Sequence, residues 1–324
     1  MREKIIVHIG YPKTATSFLQ EKIFLELHKQ GKINFLGRYK DNSKFNKILS
    51  LCMQDSLSVK DLKRGSGDFI RELKPNTINL ISEEAICWMP SVYGYGLCNF
   101  MKNLSIVLKD YDVTILLSLR EITSWVFSTY VELYKWHYHS VEECQTYNQY
   151  IDMLFRKPDN LEFEFLFPSK VLKSIGMHFD KVEILFFQDL EHDPSNYAKD
   201  LSHLLNVETS NILYLLNNSK SNTGVYISTG KKVKKVFFGD YLSSLQRRLS
   251  FKYSFFKKLS RIDVFRSLYL FIIKVLNNIK MDKAIYFDDI HESRKLALRK
   301  HLLDIDTLGE YILDQEKLKR IHKL

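Results

Sequence analysis

Four short apolar runs punctuate the first two thirds of the chain: KIIVHI (4–9), TINLIS (77–82), DVTILLSL (112–119) and KVEILFF (181–187). Each is dense in Ile, Val, Leu and Phe without strict alternation, the pattern of a strand covered on both faces. Between them apolar positions recur at helical spacing, over 17–30, roughly 58–73, 98–109, 122–137, 144–156 and 194–206. Asp193 followed by Pro194 reads as a helix cap with proline in the first turn. Strand alternating with helix predicts an α/β fold, three layers (α/β/α) around a central parallel sheet.

Beyond about 215 the pattern changes. Residues 217–232 read as a loop, 236–280 as basic amphipathic helices, and 287–312 as further helix. The predicted organisation is a single domain over 1–324, with an α/β core over 1–215 and a loop plus basic helical C-terminal region over 216–324. With only 12 Gly and 6 Pro in 324 residues, no long disordered tract is expected.

Charge sharpens this division. The formal net charge is +10, and 231–280 alone holds 13 Lys and Arg against Asp240 and Asp263, leaving the rest near neutrality. A local basic surface is expected rather than a diffuse polyanion-binding one, and no nucleic-acid partner. Cys52, Cys87, Cys98 and Cys144 form no CxxC pair and are expected as reduced thiols. The first strand starts directly after MREK, so neither signal peptide nor anchor is expected. The run SLYLFIIKVL (267–276) contains Lys274 and is short of the roughly 20 residues a spanning helix needs.

Candidate chemistry begins at IIVHIGYPKTATSFLQEKIF (5–24). A buried strand turns into a helix across Gly10, Pro12, Lys13 and the hydroxyls of Thr14, Thr16 and Ser17. Helix-start N–H groups lack intrahelical partners and favour negative charge, so this junction is an anion site. It is not a nucleotide triphosphatase loop, because Gly10 precedes Lys13 by three residues and no second glycine follows. A second junction, ILLSLREITSWVFSTYVEL (115–133), puts Arg120 at a strand end, Ser128 eight residues later and Tyr130 next. Arginine presents a planar fork to phosphate oxygens, and a helical serine two turns on can add a donor. A third strand end, LISEEAICW (80–88), offers Ser82, Glu83 and Glu84. His137 and His139 in WHYH have no metal-spaced partner nearby and read as surface or cleft histidines.

GYPKTATS resembles the 5′-phosphosulfate loop of the sulfotransferases, with Ala15 where that family usually has glycine. Arg120 and Ser128 resemble its 3′-phosphate motif. EILFFQDLEHDPSNYAKDLSHLLNV (183–207) is similar to a supporting structural stretch, with Gln188 replacing an acidic residue, Asp189 at the strand end and Asn206 replacing a glycine. The resemblance covers about residues 1–215 and implies 3′-phosphoadenosine 5′-phosphosulfate (PAPS) as donor, without a metal. It implies that Tyr11, Pro12, Lys13, Thr14, Ala15, Thr16 and Ser17 bind the 5′-phosphate, with Lys13 stabilising the leaving oxygen. Arg120 and Ser128 would hold the 3′-phosphate. Glu84 would be the base, as in the S-x-E pattern of bacterial and polysaccharide sulfotransferases, with Glu83 as its competitor.

The acceptor expected from that likeness is a carbohydrate hydroxyl, on an envelope glycan or a lipid-linked saccharide precursor. The expected location is cytoplasmic. Two readings of 231–280 stand: a surface resting peripherally on the anionic inner membrane face, or a solvated helical cap whose apolar side packs on the core. Lys231 and Lys232 are candidates for closing over the donor. The rival functions are a P-loop kinase and a non-catalytic polyanion- or membrane-binding protein.

Overall fold

Strand β1 (Lys4–Gly10) forms the axis of a five-stranded sheet with β2 (Asn34–Phe35), β3 (Asn79–Ser82), β4 (Asp112–Leu119) and β5 (Val182–Phe186). The order is β2-β3-β1-β4-β5 and every pairing is parallel. The structure is a computed structural model and describes residues 2–37, 43–54, 57–92, 94–136, 144, 146–218, 235–237, 263–276, 280–284 and 291–303. Residues Met1–Ile122, Pro158–Gly224 and Arg299–Leu324 make one unit, and Thr123–Lys157 with Val225–Leu298 a second. The sheet belongs to the first.

Burial explains why the strand sequences do not alternate. On one face Ile6, Leu80, Leu116 and Leu185 pack with Leu19, Ile23, Phe24 and Leu27 from the helix after β1, and with Leu201, Leu205 and Ile212 from later helices. On the other, Ile5, Val7, Ile9, Ile81, Ile115 and Leu117 are also buried. A sheet covered on both sides selects apolar residues at every position.

Chain order reverses at β1, since β3 lies on one side of it and β4 on the other. In open parallel sheets such a switch point leaves a crevice beyond the carboxyl strand ends. Register puts His8 of β1 opposite Ser82 of β3, and Gly10 opposite Ser118 of β4. The three strand ends singled out by sequence are therefore neighbours.

Several boundaries differ from expectation, each for a local reason. The run 181–187 is strand only to Phe186, and Phe187 opens a helix, Phe187–His192. Asp193 caps the next helix, Pro194–Leu205, by accepting from Asn196 N at 3.1 Å, as expected. That helix ends on Asn206 in left-handed backbone (φ 51°), where asparagine is the common substitute for glycine. The helix expected over 17–30 runs as Thr16–Phe18, a π-wound Leu19–Phe24, and Leu25–Lys29. Unpredicted elements are β2 and the helices Ser43–Cys52, Ala85–Val92, Pro168–Gly176 and Thr209–Asn218. Ala85–Val92 was masked in sequence by Pro90 within it.

The region 236–280, expected as helices throughout, is corrected at its ends. Lys235–Phe237 (β6) and Lys280–Ala284 (β7) pair as antiparallel strands, with a helix Asp263–Leu276 between them in sequence. Glu292–Leu302 is helical within the expected 287–312. Lys231, Lys232, His137 and His139 lie outside the described residues. Among the described residues, no helix is long and apolar enough to cross a membrane.

Candidate functional site

The loop leaving β1 is built by backbone conformation. Lys13 (φ 68°) and Ala15 (φ 63°) both occupy the left-handed region. Between them Thr14 closes a turn, its N–H donating to Tyr11 O at 3.3 Å and its hydroxyl to the same oxygen at 2.7 Å. Left-handed residues alternating with ordinary ones turn successive N–H groups inward, forming a concavity that suits an anion. Ala15 stands at the helix cap and its side chain makes no capping bond, which leaves the first-turn N–H groups to a ligand. The left-handed φ at Ala15 is a conformation that glycine would adopt without a Cβ penalty.

Gly10 is required by contact. A Cβ there would lie 2.0 Å from Thr16 Oγ1 and 2.8 Å from its Cγ2. Thr16 is thereby tucked against the strand end, and its buried Oγ1 has no hydrogen-bond partner among the described residues. Leaving a buried hydroxyl unsatisfied costs about 1–3 kcal/mol, a cost that an oxyanion bound here would remove. Lys13 and Ser17 are exposed, while Tyr11, Pro12 and Thr14 are buried. Burial pushes the Tyr11 phenol well up, and Cys87 and Glu164 nearby add to the shift.

At the end of β3 the two carboxylates differ in burial. Glu83 is buried; its N–H donates to His8 O at 3.0 Å and its Oε1 accepts from Ala85 N at 2.9 Å. It caps the helix Ala85–Val92 and suits the positive end of that dipole. Glu84 is half-buried. Burial raises the Cys87 thiol, with the Glu84 and Glu164 charges adding to it, so Cys87 is a neutral thiol.

At the end of β4, Arg120 is 8% exposed and its Nη1 donates to Lys13 O at 3.0 Å. Its guanidinium lies over the Phe187 ring at 4.6 Å. The arginine thus joins the loop to the neighbouring strand end and brings a cation to the same crevice. Ser128 is half-buried on the helix Ile122–Trp136, in the second unit. Among the described residues, no group of three His, Cys, Asp or Glu has a metal-holding arrangement. A cavity of about 620 Å³ lies elsewhere, beside Glu183, Lys199, Asp200 and His203.

Sequence reasoning missed His8, which is fully buried. Its Nδ1 is 2.7 Å from Ser82 Oγ and its Nε2 3.0 Å from Ser118 Oγ. Gln20 Nε2 donates to both Ser82 O and Ser82 Oγ at 3.0 Å. Burial lowers the His8 imidazole to about 3, so it is neutral at physiological pH. The available signal was a lone histidine inside an apolar strand, two residues before the loop glycine.

No family model matches the chain, and no curated protein matches it. Among solved structures it is similar to a sulfotransferase from Alicyclobacillus acidocaldarius, with 12% identity, 87% of this chain and 98% of that chain covered, and a TM-score of 0.42. It is also similar to mouse sulfotransferase SULT7A1 complexed with PAP (15% identity, 83% and 89% covered, TM-score 0.39). A third is retinol dehydratase in complex with androsterone and inactive cofactor PAP (13% identity, 97% and 83% covered, TM-score 0.41).

Two predictions follow from this geometry. Gly10→Ala is expected to destabilise the protein by about 1–3 kcal/mol, and adding Thr16→Ala to recover part of that loss, measured by urea unfolding. Additive effects would show that the two residues do not meet. The second concerns acid. Because His8 titrates near 3 folded and near 6.5 unfolded, its stabilising contribution is complete above pH 6.5 and falls as pH drops toward 3. The expected loss between about pH 7.5 and 5 is about 2 kcal/mol, and His8→Leu should flatten that slope in unfolding curves.

Proposed function

We propose that the protein is a sulfotransferase, moving a sulfuryl group from PAPS to a hydroxyl of a carbohydrate acceptor. The observation that carries this reading is the loop Gly10–Thr16: two left-handed residues, an uncapped helix start and the buried, unsatisfied Thr16 hydroxyl at one strand end. The donor supplies an activated sulfuryl group on a bisphosphate that leaves as a stable anion. The loop amides with Thr14, Thr16 and Ser17 bind the 5′-phosphate, and Lys13 offsets the charge that grows on the leaving oxygen. Arg120 and Ser128 hold the 3′-phosphate. Glu84 takes the acceptor proton as the S–O bond to the donor breaks and the bond to the acceptor oxygen forms. The capping bond of Glu83 supports Glu84 over Glu83 in that role.

A carboxylate base at the β3 end supports a saccharide hydroxyl as acceptor, on an envelope glycan or lipid-linked precursor. The reaction then runs in the cytosol, at the inner membrane face. Support for peripheral membrane contact comes from the helix Asp263–Leu276, which exposes Leu270, Phe271 and Val275. Co-sedimentation with anionic phospholipid vesicles tests it, and protein that stays in the supernatant refutes it.

Calorimetric titration with 3′-phosphoadenosine 5′-phosphate, beside ATP with magnesium, tests the donor site. We expect micromolar or tighter bisphosphate binding and at least tenfold loss in Lys13→Ala and Arg120→Ala, the size of about one charge-assisted contact. Equal or tighter binding of ATP would favour the kinase reading. Binding of neither would leave the polyanion-binding reading.

A further inference from the structure

Two polar groups are buried within the sheet: Asn34 and Asn79 on β2 and β3, joined at 2.7 Å, and a second group nearer the strand ends. His8, Ser82 and Ser118 are buried side by side on β1, β3 and β4, and Gln20 reaches Ser82 from the π-wound turn of the helix after the loop. Each strand member stands two residues before a candidate site element. His8 precedes Gly10, Ser82 precedes Glu84 and Ser118 precedes Arg120. Register sets His8 level with Ser82 and Gly10 level with Ser118, so these polar groups lie at and just beneath the strand ends that lead into the candidate site. Gln20 stands one helical turn after Thr16.

One consistent set of hydrogen-bond directions runs through this group. Ser82 O can only accept, so the Gln20 amide nitrogen must face it, and the same nitrogen donates to Ser82 Oγ. With Ser82 Oγ giving its proton to His8 Nδ1, the imidazole carries its own proton on Nε2 toward Ser118 Oγ. A single direction of donation runs Gln20 to Ser82 to His8 to Ser118. Burial supports the neutral imidazole this chain of bonds needs. His8 also packs edge-on against Phe24, at 5.6 Å between ring centroids, which fixes its plane.

We propose that His8 is a positioning residue: through Ser82, Ser118 and Gln20 it sets the spacing of the anion loop, the Glu84 strand end and the Arg120 strand end. This rests on the donor-site reading given above. An apolar residue at 8 would pack in the same space without joining the strands by direction. A hydrogen-bonded layer instead admits one relative setting of the three strand ends and the loop helix.

The test compares bisphosphate affinity with melting temperature in Ser82→Ala, Ser82→Thr, His8→Leu and Gln20→Met, using 3′-phosphoadenosine 5′-phosphate as the probe. Ser82→Ala and His8→Leu are expected to weaken binding by about tenfold or more, since small misplacements of site groups carry large penalties. Ser82→Thr, which keeps the hydroxyl, should restore affinity to within about threefold. Gln20→Met lies outside the sheet interior and keeps the experiment decisive if a strand variant does not fold. In wild type, 15N spectra of the His8 imidazole should show the Nε2–H tautomer. A lowered melting temperature with unchanged affinity would overturn the inference, as would an Nδ1–H tautomer. Wild-type binding with unaffected variants overturns this inference and leaves the donor site standing. No binding by wild type removes the donor site and this inference with it.

Discussion

The reversal between Gly10 and Thr16 is the constraint on which the remaining site geometry depends. A parallel strand must become a helix within five intervening residues, and the chain does so by holding Lys13 and Ala15 in left-handed backbone. For residues with a side chain that conformation costs about 1–2 kcal/mol each. The surroundings hold it: Arg120 donates to Lys13 O, Thr14 donates twice to Tyr11 O, and Thr16 fills the space that Gly10 leaves open. The strain is local and stored where an anion would meet inward-facing amides.

Sheet order gives that loop its neighbours. Because β1 is central and the chain reverses there, the loop is flanked by the end of β3 on one side and the end of β4 on the other. An arginine from the end of β4 thus touches the loop backbone from a sequence position far away. The bonded group of His8, Ser82 and Ser118 joins the ends of β1, β3 and β4. Its burial would be costly without the bonds it makes, and with them it is a rigid joint.

What the sequence disclosed follows from locality. The four main strands were legible because double-sided burial writes itself as continuous apolar runs, as in Lys4–Gly10 and Asp112–Leu119. The loop residues Tyr11 to Ser17 were legible because one turn contains them all. β2 was not, since two residues carry no periodicity, and Ala85–Val92 was hidden by its internal proline. Arg120 was found, yet its bond to Lys13 O spans 107 positions and no spacing rule contains it. His8 escaped for the same reason. Its partners lie 74 and 110 residues away, and without the register a histidine in KIIVHI is only one more strand residue.

The most direct measurement is amide hydrogen exchange, with and without 3′-phosphoadenosine 5′-phosphate. An anion held by the loop should slow exchange at residues 13–18, whose first-turn N–H groups have no side-chain cap, and leave the helix Asp263–Leu276 unchanged. Protection confined to the basic C-terminal region, or none in the loop at saturating bisphosphate, would contradict the account.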